Sequence, residues 1–371
     1  VRGPAIKPIV IAAGGTGGHF FPAEALAASV IARGHRVVLL TDARSGAARS
    51  TVFAGHEMHV LHGAGIAGRG FARGLVAAAG LAAGTAQARA LLKTLDAGVI
   101  VAFGGYPAVA PVLAARTLRK RPAIMLQEQN AVLGRANRLF ARSADVLALG
   151  FAQTSKIPSG TVTSVTGNPV RPAIAALAGH GYTPPADAIE LLILGGSLGA
   201  RVFSDVVPAA LALLAGELRA RLRVTQQCRP EDLQRVGDAY EALCITADIS
   251  TFFHDVAHRL AAAHLVIARA GASTCAELAA IGRPSILVPL PNAIDNHQAA
   301  NAASLAAAGA SLIMPQAELT PASLAAQLQT CLRENWLVAA AAGAASCARV
   351  GAADALADLA EAHLARAEAR P

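Results

Sequence analysis

A short apolar run that ends in a double glycine and passes into an Ala/Leu-rich segment occurs near the start of the chain and again past its middle. The first copy is 9–13 before Gly14-Gly15, and the second is 191–194 before Gly195-Gly196. Short continuous apolar runs bounded by turn signals read as strands buried on both faces, and glycine allows the tight turn into the following helix. The runs 37–41, 99–103, 124–127 and 146–149 follow the first copy, and 222–226, 265–268, 286–290 and 311–314 follow the second. Strands alternating with longer helical segments indicate β-α-β units around parallel sheets. At 371 residues the chain has room for about two such domains. The expected fold class is therefore α/β, with two Rossmann-like domains whose parallel sheets face a deep interdomain cleft, because open parallel sheets bind ligands at the carboxyl ends of their strands. Residues 175–187, with Gly179, Gly181 and Pro184-Pro185, form the best linker. The expected domains are 1–172 and 173–371. The tail, with Leu356, Leu359 and Leu364 at helical spacing, is a packing helix that can return to the N-terminal domain.

Composition narrows the class further. Hydrophobic residues at 54% against 15% charged exclude charge-driven disorder. The 5 cysteines are odd in number, confined to the second half and never at C-x-x-C spacing, so neither a disulfide framework nor a zinc knuckle is implied, and reduced thiols in the cytosol fit. The apolar stretches 75–83, 206–215 and 336–346 fall short of the roughly 18 residues that span a bilayer, and the apolar run at the N-terminus reads as a strand rather than a signal peptide. A net charge of +8 favours anionic partners. Aromatics at 4% and the lack of Lys/Arg-rich runs argue against nucleic acid, leaving phosphates and a membrane surface.

Several loops carry candidate chemistry. In Gly14-Gly15-Thr16-Gly17-Gly18-His19, loop amides and a helix start converge on one point, which suits an anion or a sugar hydroxyl or is simply a tight turn. A nicotinamide reading rests on Gly15, Gly17 and Asp42 at the end of the next strand, but its third glycine is Phe20. Gly104-Gly105-Tyr106-Pro107 repeats the arrangement, and Gly195-Gly196-Ser197-Leu198-Gly199 is suited to a diphosphate, with a helix from Ala200 lending its positive end. In the segment 269–277, Thr274 and Glu277 have the spacing of a capping box, while the Glu277 carboxylate could instead accept two ribose hydroxyls. The polar residues 127–130 end an apolar strand, where they need solvent or a ligand unless they belong to an ordinary loop. The run 292–298 offers further hydrogen bonds. His56, His59 and His62, and the pair His254 and His258, lack the convergent ligands of a zinc site, so no metal is expected. His19, in a glycine loop, could accept a proton near neutral pH, or cap its turn.

Taken in order, GGTGGHFFPAEALA (14–27), FGGYPAVAPVLAA (103–115), QEQNAVLGRANRL (127–139), TGNPVR (166–171), GGSLGAR (195–201), RAGASTCAELAAIGRPSILVPLP (269–291) and DNHQAANA (295–302) resemble the MurG family. These are the bacterial undecaprenyldiphospho-muramoylpentapeptide β-N-acetylglucosaminyltransferases of glycosyltransferase family 28. The resemblance implies a GT-B fold, no cofactor, and transfer of N-acetylglucosamine from UDP-N-acetylglucosamine to lipid I, giving lipid II for peptidoglycan and cell-wall growth. It implies donor contacts from Thr16, Gly17, Gly18, Asn130 and Arg171 in the first domain. From the second it implies Ser197, Phe253, Ala272, Ser273, Thr274, Cys275, Ala276, Glu277 and Gln298, with Glu277 on the ribose. Gly104, Gly105, Tyr106 and Asn137 are candidates for an acceptor or phosphate loop. His19 or Glu128 would be the catalytic base. Leu198, Ser204 and His297 depart from the family pattern, which has Gln, Asn and a Gln pair there.

A lipid acceptor implies a peripheral enzyme on the cytoplasmic face of the inner membrane. Ile66, Phe71, Leu75 and Val76, interleaved with Arg69 and Arg73, could meet an anionic surface, or be an ordinary amphipathic face. The rival activities are a UDP-N-acetylglucosamine 2-epimerase, an NAD-dependent dehydrogenase and a non-enzymatic nucleotide-binding module.

Overall fold

The computed structural model describes residues 7–15, 17–43, 47, 50–62, 71–196 and 199–369. By its contacts the chain divides into a first unit, Val1–Pro172 with Gly351–Pro371, and a second, Ala173–Val350.

The first unit is built on seven strands: β1 (Ile9–Ala12), β2 (Val37–Thr41), β3 (Glu57–Val60), β4 (Val99–Ala102), β5 (Ala123–Glu128), β6 (Val146–Leu149) and β7 (Thr163–Val165). They are parallel and lie in the order β3-β2-β1-β4-β5-β6-β7. Ile9 and Ile11 face one buried cluster while Val10 and Ala12 face another, which is why β1 reads as continuously apolar. The terminal helix Ala352–Glu368 completes the first of these clusters with Leu356, Ala357, Ala360 and Leu364. Leu364 lies directly over Gly98, where a side chain would collide with it. Arg33, on the helix-end turn beneath, pairs with Asp354, Asp358 and Glu361 and fastens the outer face of that helix.

The second unit has six parallel strands: β8 (Ile189–Leu194), β9 (Leu222–Gln227), β10 (Thr246–Ser250), β11 (Leu265–Ala268), β12 (Ser285–Leu287) and β13 (Ser311–Ile313). Their order is β10-β9-β8-β11-β12-β13. The run 286–290 stays in the sheet only as far as Leu287, since Pro289 and Pro291 lack the amide donors that pairing needs. The linker segment is tied to this unit: Gly181 O accepts from Arg283, and the Tyr182 hydroxyl donates to His264 O.

Both sheets reverse their strand order at one place, between β1 and β4 in the first unit and between β8 and β11 in the second. Adjacent crossovers leave that point in opposite directions, which opens a crevice at the carboxyl ends of the two strands. Among the described residues no helix is long and apolar enough to cross a membrane.

Candidate active site

In the first unit the crevice is rimmed by the glycine turns after β1 and β4. Gly14 is packed so closely that a Cβ would stand 2.6 Å from Asp42 Oδ1, and the Gly15 amide, at φ +75°, donates to that same oxygen at 3.0 Å. The Asp42 carboxylate thus braces the turn. Asp42 is buried against the turn and Phe20, in place of the third glycine, is a core residue, so the glycine pattern of the dehydrogenase reading is not formed. Helix Gly17–Ala32 begins at once, so Gly17, Gly18 and His19 form its first turn, where amide N–H groups have no partner within the helix. Thr16 lies outside the described residues.

Gly104 and Gly105 follow β4 with φ of +77° and +67°, a region that favours glycine. A Cβ on Gly104 would press on Asn137 Nδ2, and one on Gly105 would lie 3.4 Å from His19 Nε2. The buried Tyr106 hydroxyl has no hydrogen-bond partner among the described residues.

Behind these turns lies a buried polar cluster. Glu128 is 1% exposed, and its carboxylate accepts four hydrogen bonds. Asn130 N (3.0 Å) and Asn130 Nδ2 (3.1 Å) donate to Oε1, while Gly134 N (2.8 Å) and Asn137 Nδ2 (3.0 Å) donate to Oε2. A carboxylate has about four lone-pair sites, so Glu128 is saturated as the organiser of the loop 130–137 and is not placed to take a proton from a substrate. His19, by contrast, makes one hydrogen bond, Nδ1 to Gln129 Oε1 at 2.8 Å, and Nε2 makes none among the described residues. Gln127, Gln129 and Asn168 complete the cluster. Arg171 lies over the Phe21 ring at 5.1 Å. Its charge and the Ser50 hydroxyl act against the burial that, on balance, raises the Glu24 carboxyl.

In the second unit the corresponding turns follow β8 and β11. Ser197 and Leu198 lie outside the described residues. Gly195 donates its amide to Gln227 Oε1 at 3.1 Å and leaves no room for a Cβ against Ala200 N, and Gly196 and Gly199 have φ of +84° and +66°. Helix Arg201–Ala212 starts behind Ala200 without a side-chain cap. Ser204 is buried inside that helix, in the core rather than in the turn.

Helix Ala272–Ile281 is capped by Gly271 in extended conformation, with no side-chain cap bond. Thr274 is thus already in the first turn and Glu277 in the second, so the capping box suggested by their spacing is not formed. The first turn keeps its amides open, and the buried Ser273 hydroxyl has no hydrogen-bond partner among the described residues. Cys275 faces the core, where burial pushes its thiol up to about 12. Glu277 is 7% exposed on the buried side. Arg269 anchors the turn by donating to Val288 O and Pro289 O, and Asn301 Nδ2 donates to Ala270 O. Neither role has a local sequence signal, although Arg269 and Asn301 lie within the motifs 269–291 and 295–302.

The loop before helix His297–Ala307 holds Asp295 and Asn296 at φ +55°, an uncommon conformation for side-chain-bearing residues. Gln298 Oε1 accepts from Leu290 N at 2.9 Å, and His297 Nδ1 lies 2.8 Å from Ile294 O. Phe253 is buried beneath the Arg259 guanidinium, 4.2 Å from its centroid, and Arg259 is held by Asp248 and Asp255.

Two Rossmann-like units, each with glycine turns at its strand-order reversal, define the architecture of the GT-B glycosyltransferases. The chain belongs to glycosyltransferase family 28: the family's N-terminal domain matches residues 9–148 and its C-terminal domain residues 190–359. It is 60% identical over 362 residues, 97% of this chain and 94% of the relative, to the UDP-N-acetylglucosamine--N-acetylmuramyl-(pentapeptide) pyrophosphoryl-undecaprenol N-acetylglucosamine transferase of Granulibacter bethesdensis. The protein of the same name from Acidiphilium cryptum is 54% identical over 97% of both chains. The crystal structure of Acinetobacter baumannii MurG superposes with a TM-score of 0.76 at 30% identity, covering 96% of this chain and 99% of that one.

Proposed function

We propose that this chain transfers N-acetylglucosamine from UDP-N-acetylglucosamine to the C4 hydroxyl of the muramoyl sugar in lipid I, producing lipid II for peptidoglycan, with inversion at the anomeric carbon. The observation that carries this reading is 60% identity, over nearly the whole chain, to a transferase of that name. The glycine turns at both strand-order reversals give the family match a physical counterpart.

In this reading the first unit supplies the base, the acceptor side and a few donor contacts, and the second unit supplies most of the donor contacts. The acceptor's C4 proton passes to His19 Nε2, its oxygen bonds to the anomeric carbon, and the bond from that carbon to the β-phosphate oxygen breaks with its electron pair leaving on UDP. His19 is favoured over Glu128 because its Nε2 has no partner among the described residues whereas the Glu128 carboxylate is filled. Main-chain amides around Gly196 and at the start of helix Arg201–Ala212 can stabilise the charge developing on the diphosphate, with Ser197 adding a hydroxyl. Glu277 takes the ribose hydroxyls, and Phe253, Gln298 and the turn 272–276 hold the rest of the donor. Thr16, Gly17, Gly18, Asn130 and Arg171 are the donor contacts of the first unit, and Gly104, Gly105, Tyr106 and Asn137 shape the acceptor side.

A peripheral position on the cytoplasmic face of the inner membrane follows from the lipid acceptor. Of the sequence patch, Val76 is exposed on helix Phe71–Thr94. Ile66 and Arg69, with the side chains of Phe71, Arg73 and Leu75, lie outside what is described. Binding to anionic vesicles at low salt is expected, and protein left wholly unbound would remove the membrane patch.

Incubation with radiolabelled donor, with and without lipid I, tests the activity. Label should pass to the lipid fraction only when lipid I is present. Free UDP and an epimerised sugar formed without acceptor would instead identify an epimerase.

A further inference from the structure

Resting on the assignment of His19 as base, we propose that Gln129 selects the tautomer of His19, holding the ring proton on Nδ1 and the lone pair on Nε2, and so acts as a positioning residue for the transfer.

Backbone carbonyls can only accept hydrogen bonds. Gln129 Nε2 lies 3.0 Å from Phe103 O and 3.3 Å from Gln127 O, so the amide nitrogen must be on that side. Its oxygen therefore faces His19 Nδ1 at 2.8 Å, and since an amide oxygen also only accepts, Nδ1 must carry the proton. The orientation is fixed a second time from the far end of the cluster. Asn168 Nδ2 donates to Gln129 O at 2.6 Å, which turns Asn168 Oδ1 toward Gln127 Nε2 at 3.1 Å. That leaves Gln127 Oε1 facing the same Gln129 NH2, whose two protons are shared between it and the two carbonyls.

Turning any one of these amides over would set oxygen against oxygen or NH2 against NH2. All three side chains are buried, so the mismatch would leave desolvated groups unpaired at a cost of about 1–3 kcal/mol each. The chain of amides therefore has one self-consistent arrangement, and it ends on the imidazole.

In a neutral imidazole, protonated Nδ1 leaves the lone pair on Nε2. That edge lies along Gly105, whose missing side chain would otherwise stand 3.3 Å from Cδ2 and 3.4 Å from Nε2. Gln129 is also a neutral acceptor, so it orients the ring without a negative charge that would hold a proton there.

The test uses the full chain labelled with 15N-histidine, with the His19 signals identified by their loss in His19→Ala. Neutral His19 should show its proton on Nδ1. In Gln129→Met, which keeps the length but removes the acceptor, that preference should be lost. The kcat of this variant should fall about a hundredfold while donor KM stays within roughly threefold, and adding Gln129→Met to His19→Ala should slow the enzyme no further. A proton on Nε2 in the unmodified chain overturns the proposal without needing any variant to fold. So does Gln129→Met that has lost the Nδ1 form yet turns over at full rate. Unchanged turnover in His19→Ala removes the base assignment instead, and the spectrum separates that failure from a wrong tautomer.

Discussion

Around the first glycine turn the holding is done by side chains: Asp42 braces Gly15, Glu128 gathers Asn130, Gly134 and Asn137, and a run of amides aims His19. Around the second unit's helix Ala272–Ile281, the main chain presents the amides, Gly271 caps without a side chain, and Arg269 and Asn301 act from behind on backbone carbonyls. The difference fits the two tasks proposed for the units. Moving a proton requires one nitrogen in one protonation state, which side-chain hydrogen bonds can select, whereas holding the polar oxygens of a nucleotide sugar requires several N–H groups that any residue supplies. Main-chain recognition of the donor, as proposed, would tolerate side-chain departures such as Leu198 and His297, while the buried network of the first unit should tolerate few.

The sharpest way to break this contrast is His19→Ala. Removing a positioned general base costs on the order of 10²–10⁴ in rate, and the loss should fall on kcat with donor KM nearly unchanged. Steady-state kinetics showing a large KM change at constant kcat would move His19 from the chemistry to the grip, and the two units would then work by the same means.

Next in size is Leu364→Ala. The leucine seats the terminal helix on the first unit against Gly98, and a buried Leu→Ala change typically costs about 2–5 kcal/mol. Hydrogen exchange should show faster opening of β1 and β4 with the second unit's β8 and β11 unchanged. Equal acceleration in both would mean that the units do not unfold separately.

How much of this was legible beforehand follows from burial. Strands read from the sequence, such as β1, β2 and β11, are apolar on both faces because helices cover them. Those passed over, β3, β7 and β10, are sheet edges with polar sequences (EMHV, TSV, TADIS) and mostly exposed or half-buried side chains. An edge strand pairs on one side and needs little hydrophobic signal. In the site, the glycine turns were visible because glycine marks a backbone constraint locally. Gln129 was visible only as one of four polar residues ending a strand, since its partners Phe103 O and His19 are distant in sequence. The Thr274 and Glu277 spacing misled for the converse reason: the helix begins at Ala272, earlier than a capping box would require.

For the second unit, Glu277→Gln isolates the one side chain proposed to recognise the donor by charge. A charge-assisted hydrogen bond is worth about 1.5–3 kcal/mol, so donor KM should rise roughly ten- to hundredfold with kcat little altered. Because the helix cap is Gly271, thermal stability should hardly change. A fall in melting temperature without a change in KM would assign Glu277 to the fold.

The smallest expected effect concerns how the first unit keeps its terminal helix. The Ser29 hydroxyl donates to Asp354 Oδ1 at 2.6 Å and Arg33 pairs with the same oxygen at 3.1 Å, which together hold the Asp354 carboxyl below its ordinary value. A carboxyl whose pKa is depressed by folding binds fewer protons in the native state than in the unfolded one, so its contribution is complete above the unfolded value, about 3.9, and fades as the pH falls through the folded value. Asp354 is largely exposed, and exposed pairs contribute about 0–1 kcal/mol. Asp354→Asn should therefore lower stability by no more than about 1 kcal/mol at pH 7, and by less at pH 3, which lies below the unfolded value, so that unfolded chains mostly hold the proton that the native pairing must displace. Denaturant titrations at the two pH values read the difference directly. A deficit that persisted in full at the lower pH would mean that Asp354 acts through packing, and that apolar contacts alone, Leu356 and Leu364 foremost, seat the helix.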